Sequence, residues 1–186
     1  MNTADDQETG MAGRIQGGAA AREPSGWRWL PVTVAVIALD QWVKAWVVRH
    51  LALHATMRVL PVLQLTLTYN RGAAFSFLAG ESGWQKWLFA GLAAAVAAGI
   101  VLWLKRLNGR RQRLLCLSLT LIMGGAIGNL IDRVRIGHVI DFALAHWHHV
   151  YFPWAFNVAD SAITVGAALL LIDAWRESRG PKKERL

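Results

Sequence analysis

Residues 114–131, LLCLSLTLIMGGAIGNLI, hold no charged side chain in 18 positions, and residues 87–104, WLFAGLAAAVAAGIVLWL, hold none either. A bilayer core takes about 20 apolar helical residues to cross, so both runs are transmembrane candidates. The rest of the chain agrees. Of its 186 residues 54% are hydrophobic and 17% charged, against about 25% charged in an ordinary soluble domain. A water-soluble globule and a disordered chain are both excluded. The net charge of +8 does not make a nucleic-acid binder, because the basic residues gather at the ends of apolar runs and form no stripe on one amphipathic face.

Two further spans flank this pair. The first covers about 27–48 and is interrupted by Asp40 and Lys44; the fourth covers about 153–175. With the second at about 84–104 and the third at about 114–133, the chain is predicted to be mainly α, an integral membrane protein of four transmembrane helices. Between helices 1 and 2, Leu63, Leu65, Leu67 and Tyr69 alternate with Gln64, Thr66 and Thr68. That period of two predicts a half-buried strand, and Asn70-Arg71-Gly72 ends it as a turn. A small sheet at the outer membrane surface is expected there, with Leu63, Leu65 and Leu67 on one face. Residues 134–152 are expected to be a loop rich in His and aromatics. Residues 1–26 are polar and without hydrophobic period, which predicts a disordered cytoplasmic leader rather than a secretory signal. Residues 27–175 form the membrane domain, and 176–186 a basic tail.

Orientation follows from Lys and Arg. Arg14, Arg22 and Arg28, five residues of the 105–113 loop, and five of the tail make 13 of the 20. All three groups share one side of a four-span chain, and positive charge marks the cytoplasmic side. Both termini are therefore expected inside, with the strand region and the His-rich loop outside. Trp27, Trp29, Trp84, Trp87, Trp103, Trp154 and Trp175 fall near span ends, where amphipathic rings settle.

Few acids remain once the cytoplasmic ones are set aside: Asp40, Glu81, Asp132, Asp141 and Asp160. Ionisable groups at membrane depth are costly and functional by default. Asp40 and Lys44 stand four apart on a helix and can neutralise each other as a structural ion pair, the alternative being a direct role at a site. Asp160 lies about seven residues into the fourth span, roughly 10 Å deep, with no basic neighbour. Asp141 precedes it by 19 residues on the far side of the external loop, so the two can reach one level. Two carboxylates sharing a low-dielectric site hold one proton between them, and can activate a water and protonate a leaving group. A proton- or cation-coupled transporter would also use such acids. Gly124, Gly125 and Gly128 include the G-x-x-x-G spacing that lets helices approach closely. Asn129 and Asn157 are expected to hydrogen-bond across helices near the carboxylates.

Five blocks, D-Q-W-V-K (40–44), N-R-G-A-A-F (70–75), G-G-A-I-G-N-L-I-D-R (124–133), V-I-D-F (139–142) and F-N-V-A-D (156–160), resemble, in order, those of the bacterial lipoprotein signal peptidases, the type II signal peptidases. The resemblance covers about 27–175. It implies an intramembrane aspartic endopeptidase of the bacterial inner membrane whose catalytic acids are Asp141 and Asp160. Its implied substrates are diacylglyceryl-modified prolipoproteins, cut just before the lipidated lipobox cysteine, with no metal or organic cofactor. Asn70, Asn129, Arg133 and Asn157 are implied substrate-contact or supporting residues. Asp132 is expected to brace Arg133 or a helix end. Membrane lipids are the other expected partners, and the enzyme is expected to act as a monomer.

Rival chemistries find little support in the residues. His146, His148 and His149 show no H-E-x-x-H pattern, and adjacent histidines point apart, so no catalytic zinc is expected. A Ser/Lys protease would have to use Ser161 and Lys44. The lone Cys116 lies in an apolar run and reads as a small buried hydrophobe. A small transporter should show internal repeats, and none is visible.

Overall fold

A computed structural model describes residues 23–72, 83–148 and 150–179. Among the described residues, four long helices, α1 (Leu30–His50), α2 (Gln85–Arg106), α3 (Arg113–Ile136) and α4 (Val158–Arg179), and strands β1 (Thr56–Leu60), β2 (Leu63–Asn70), β3 (Val139–Trp147) and β4 (Val150–Tyr151) follow in the order α1-β1-β2-α2-α3-β3-β4-α4. All four helices are long and apolar enough to cross a membrane. The spans expected from sequence are present, with shifted ends.

The central helix is α3, which packs on each of the other three. Its small residues make that possible. A Cβ on Gly124 would lie 2.8 Å from Val36 Cβ of α1, and one on Gly128 would lie 2.7 Å from Asp40 Oδ2. Gly125 faces the Ala159 carbonyl of α4. The G-x-x-x-G run thus seats α3 between α1 and α4. Against α2 the packing is apolar, through Ile100, Leu104, Leu107, Leu119, Met123 and the buried Cys116.

The sheet is antiparallel in the order β1-β2-β3-β4. It is therefore not confined to the segment between helices 1 and 2. Half of it comes from the 134–152 stretch expected to be a loop. That segment hid its strand because Val139 to Ala143 are all buried, and a strand covered on both faces shows no alternation. On β2 the alternation is also broken. The register shifts between Leu65 and Thr68, and Thr66 and Leu67 are both buried. Leu63, Leu65 and Leu67 do share one apolar cluster with Val47 of α1 and Phe142, whereas Tyr69 lies exposed against His138.

Helix ends follow local chemistry. The C-terminus of α3 runs three residues beyond Arg133 and stops at Gly137, whose φ of 80° supplies the left-handed cap. The start of α4 is Val158 rather than Pro153, because Asn157 caps it. Asp160 is consequently in the first turn of its helix, not two turns deep.

Residues 1–22 and 180–186, most of the expected leader and tail, lie outside the described residues, as do Ala73 to Phe75, Glu81 and His149. The end of the leader is not free. Gly109 N–H donates to the Pro24 carbonyl at 2.8 Å and Gly26 N–H to Leu107 at 2.9 Å, fixing the chain before α1 to the α2–α3 connection. Trp27 and Trp29 add indole hydrogen bonds to Val101 and Gly109.

Candidate active site

Asp141 and Asp160 line one cavity of about 510 Å³, whose apolar wall includes Phe152, Trp154, Phe156 and Ile163. Asp141 stands on β3 and is 3% exposed. Asp160 stands at the third position of α4, where it and Asn157 form a reciprocal cap. The Asp160 N–H donates to Asn157 Oδ1 at 2.8 Å, and the Asn157 N–H donates to Asp160 Oδ2 at 3.2 Å. The same turn that starts the helix therefore aims the carboxylate.

Three asparagine amides hold the two carboxylates. Asn157 Nδ2 donates to Asp141 Oδ1 at 2.7 Å, Asn70 Nδ2 to Asp141 Oδ2 at 3.1 Å, and Asn129 Nδ2 to Asp160 Oδ1 at 2.8 Å. The direction of each amide is forced, because each Oδ1 faces a group that can only donate. For Asn157 that group is the Asp160 N–H, for Asn70 the Gly72 N–H at 3.0 Å, and for Asn129 the Lys44 ammonium at 3.0 Å. Every NH2 group is thereby turned toward a carboxylate. Asn70 reaches Asp141 through the β2–β3 register, in which Asn70 opposes Val139 and Thr68 opposes Asp141.

Burial and the neighbouring Asp160 charge push the Asp141 carboxyl up to about 7, against the opposing hydrogen bonds of Asn70 and Asn157. Near neutral pH this group therefore exchanges a proton readily, as acid–base chemistry at that pH requires.

Behind the amides lies a buried ionic cluster. Lys44 Nζ is 2.8 Å from Asp40 Oδ2 and 2.7 Å from Asp132 Oδ2. The Asp40–Lys44 pair expected from sequence is thus one side of a triad. Asp132 was expected to brace Arg133 or a helix end; its carboxylate turns instead to Lys44, to Gln41 Nε2 at 2.9 Å and to the Ile140 N–H at 3.3 Å. Gln41 was missed in the sequence, and its place between Asp40 and Lys44 in the same block was the available signal. Arg133 leaves the acids and donates to the carbonyls of Gly72 at 3.0 Å and Asn129 at 3.3 Å, with its guanidinium over Phe89. It ties the turn after β2 to α3. Ser161 and Lys44 do not meet: the Ser161 hydroxyl donates to the Asn157 carbonyl, and the lysine is held by the triad. His146 is buried against Tyr151 and is not one of the residues lining the cavity.

Comparisons with known proteins agree on one family. A profile described as Signal peptidase (SPase) II matches residues 32–176. The chain is 51% identical over 152 residues to a lipoprotein signal peptidase of Pseudomonas aeruginosa, covering 81% of this chain and 89% of that protein. It is 52% identical over 155 residues to a lipoprotein signal peptidase of Pseudomonas fluorescens, covering 83% and 89%. Among solved structures, a bacterial membrane enzyme determined by the in meso method at 2.3 Å superposes with a TM-score of 0.74 at 27% identity, over 86% of this chain and 94% of that one. A second, at 1.9 Å, gives 0.69 at 27% identity, over 81% and 94%.

Proposed function

The chain belongs to the signal peptidase II family, and from that premise we propose that it is an aspartic endopeptidase that cleaves diacylglyceryl-modified prolipoproteins just before the lipidated cysteine. The observation that carries this reading is the pair Asp141 and Asp160 on one cavity, each with both oxygens engaged by amide or backbone donors. Such fixed acceptors need little reorganisation when charge moves during reaction.

The ionised member of the pair takes a proton from a water, whose oxygen attacks the scissile carbonyl. The protonated member donates to the carbonyl oxygen, giving a tetrahedral diol. Collapse breaks the C–N bond as the carboxyl that took the water proton gives it to the departing cysteine amine, while the other carboxylate takes a proton from a diol hydroxyl, so the pair again shares one proton. The apolar wall of Phe152, Trp154, Phe156 and Ile163 suits the hydrophobic end of a signal peptide beside its acyl-bearing cysteine. Asn70 lines the same cavity, and Arg133 is tied to the Gly72 carbonyl two residues further on; these two are candidates to donate to substrate carbonyls. The substrate is itself anchored in lipid, and it arrives by lateral diffusion.

Orientation in the bacterial inner membrane rests on charge. Lys105, Arg106, Arg110, Arg111 and Arg113 join the end of α2 to the start of α3, and Arg176 and Arg179 lie in the last turn of α4. These are the ends of the helices remote from the first turn of α4, where Asp160 stands. With positive charge inside, both termini are cytoplasmic and the cavity faces the outer side. The enzyme works as a monomer without a cofactor. Purified protein in detergent, given a diacylglyceryl-modified lipobox peptide, is expected to cut at the cysteine, and Asp141→Asn and Asp160→Asn are each expected to stop it. Near-parent cleavage by either variant, or proton flux without any cleavage, would overturn the assignment.

A further inference from the structure

Lys44 has more bonds than an ion pair needs. Its side chain is 2% exposed, and its three N–H donors go to three acceptors on two helices: Asp40 Oδ2 at 2.8 Å, Asp132 Oδ2 at 2.7 Å and Asn129 Oδ1 at 3.0 Å. The third acceptor is the amide whose opposite end donates to Asp160 at 2.8 Å. An ammonium has no acceptor lone pair, so it fixes the amide with oxygen toward Lys44 and NH2 toward Asp160. The two acids of the triad reach the same place along the backbone. Asp40 Oδ1 accepts the N–H of Ala159, the residue before Asp160, at 2.9 Å. Asp132 Oδ2 accepts the N–H of Ile140, the residue before Asp141, at 3.3 Å. One buried cation therefore stands at the centre of a clamp on both carboxylate-bearing segments.

We propose that Lys44 is a positioning residue of the peptidase reaction, acting through the Asn129 amide to hold the Asp160 carboxylate in its reactive orientation. This rests on the assignment of Asp160 to the catalytic pair. A purely architectural Lys44 would only neutralise Asp40 and Asp132, and any neutral, well-packed replacement of the three would serve equally. With Lys44 gone, Asn129 Oδ1 keeps only the Asn157 Nδ2 donor at 3.1 Å, which is already shared with Asp141 Oδ1 and the Ile140 carbonyl, so the amide is held less firmly about its terminal bond. Asp160 Oδ1 then loses its NH2 partner for part of the time, and misplacement of a reacting group by about 1 Å can cost on the order of 100-fold in rate.

Lys44→Met alone leaves two buried carboxylates without a cation and is expected to unfold. The test therefore uses the neutralised triple variant Lys44→Met with Asp40→Asn and Asp132→Asn, checked for folding by its thermal transition in detergent. The readouts are kcat and KM on the diacylglyceryl lipobox peptide, with Asp160→Asn as a reference. The proposal expects a folded triple variant with kcat down at least about tenfold and KM near the parent value. Adding Asn129→Ala to the triple variant should then cost little more, although Asn129→Ala in the parent lowers kcat strongly. Parent-like kcat in the folded triple variant overturns the proposal. So does an Asn129→Ala effect that is equal in both backgrounds, since Lys44 would then not act through that amide. If the triple variant does not fold, Asn129→Asp carries the test. It keeps an acceptor for Lys44 and withdraws the donor from Asp160, so a parent-like kcat overturns the proposal and a fall in kcat at unchanged KM supports it. Failure of the underlying reading looks different: Asp160→Asn itself would still cleave.

Discussion

Replacing Asp141 by Asn should make the protein relatively more stable as the pH rises, while abolishing cleavage. The folded Asp141 carboxyl is held at about 7 against an ordinary 3.8. Between those values the folded protein binds the proton more tightly than the unfolded chain, so stability falls as pH rises through the window and levels off above 7. Each pH unit inside the window corresponds to about 1.4 kcal/mol. From about pH 5 to pH 7 the parent should thus lose on the order of 3 kcal/mol through this group, with nothing further by pH 8. An amide at 141 does not titrate. It does forfeit one of the two hydrogen bonds from Asn157 and Asn70, because its NH2 must face one of those donors, at a cost of roughly 1–3 kcal/mol at every pH. At about pH 5 the variant is expected to be equal to the parent or weaker, and at about pH 8 stronger. The assay is thermal unfolding of both proteins in the same detergent at the two pH values, followed by tryptophan fluorescence. Groups distant from residue 141 contribute equally to both proteins and cancel in the difference. With about 2–4 °C per kcal/mol for a chain of this size, the gap between the two transitions should move by roughly 6–12 °C in favour of Asp141→Asn. Parallel pH dependence of parent and variant would show that burial and Asp160 do not raise Asp141, and the acid–base argument built on it would fall.

Two other outcomes are expected. Gly128→Ala brings a Cβ to 2.7 Å from Asp40 Oδ2, pushing that carboxylate away from Lys44 and the Ala159 N–H, and should cost about 1–3 kcal/mol and most of the activity; Gly99→Ala, with no atom near the added carbon, should leave the thermal transition and the rate unchanged, and equal behaviour of the two would refute the close-packing account. Cleavage of the lipobox peptide should persist at the parent rate in excess chelator, since two carboxylates carry the proposed chemistry; a loss restored by added zinc would refute it.

Much of the fold was legible because membrane spans are written in composition. Eighteen uncharged residues in a row, twice, leave only a spanning helix that satisfies its own backbone. The 139–147 strand was not legible, because its burial on both faces erased the period of two. The true start of α4 was hidden in the same way. Trp154 to Phe156 are as apolar as a helix, and only the bridge between Phe156 and Ala143 and the cap by Asn157 hold them outside it.

For the site, Asp141 and Asp160 stand out in the residue string alone, since acids at membrane depth are too costly to keep without use, and the block resemblance attached a chemistry to them. The same string implies that Asp40 and Lys44 meet, because four residues is one helical turn. Which way the amides point and what Asp132 does follow from the packing of the folded chain. Those outcomes depend on donors that arrive from elsewhere in the chain: an ammonium from α1 on an amide of α3, and backbone N–H groups of β3 and α4 on acids of α3 and α1. A hydrogen bond is set by distance and direction in space, and no spacing along one strand or helix encodes the approach of another.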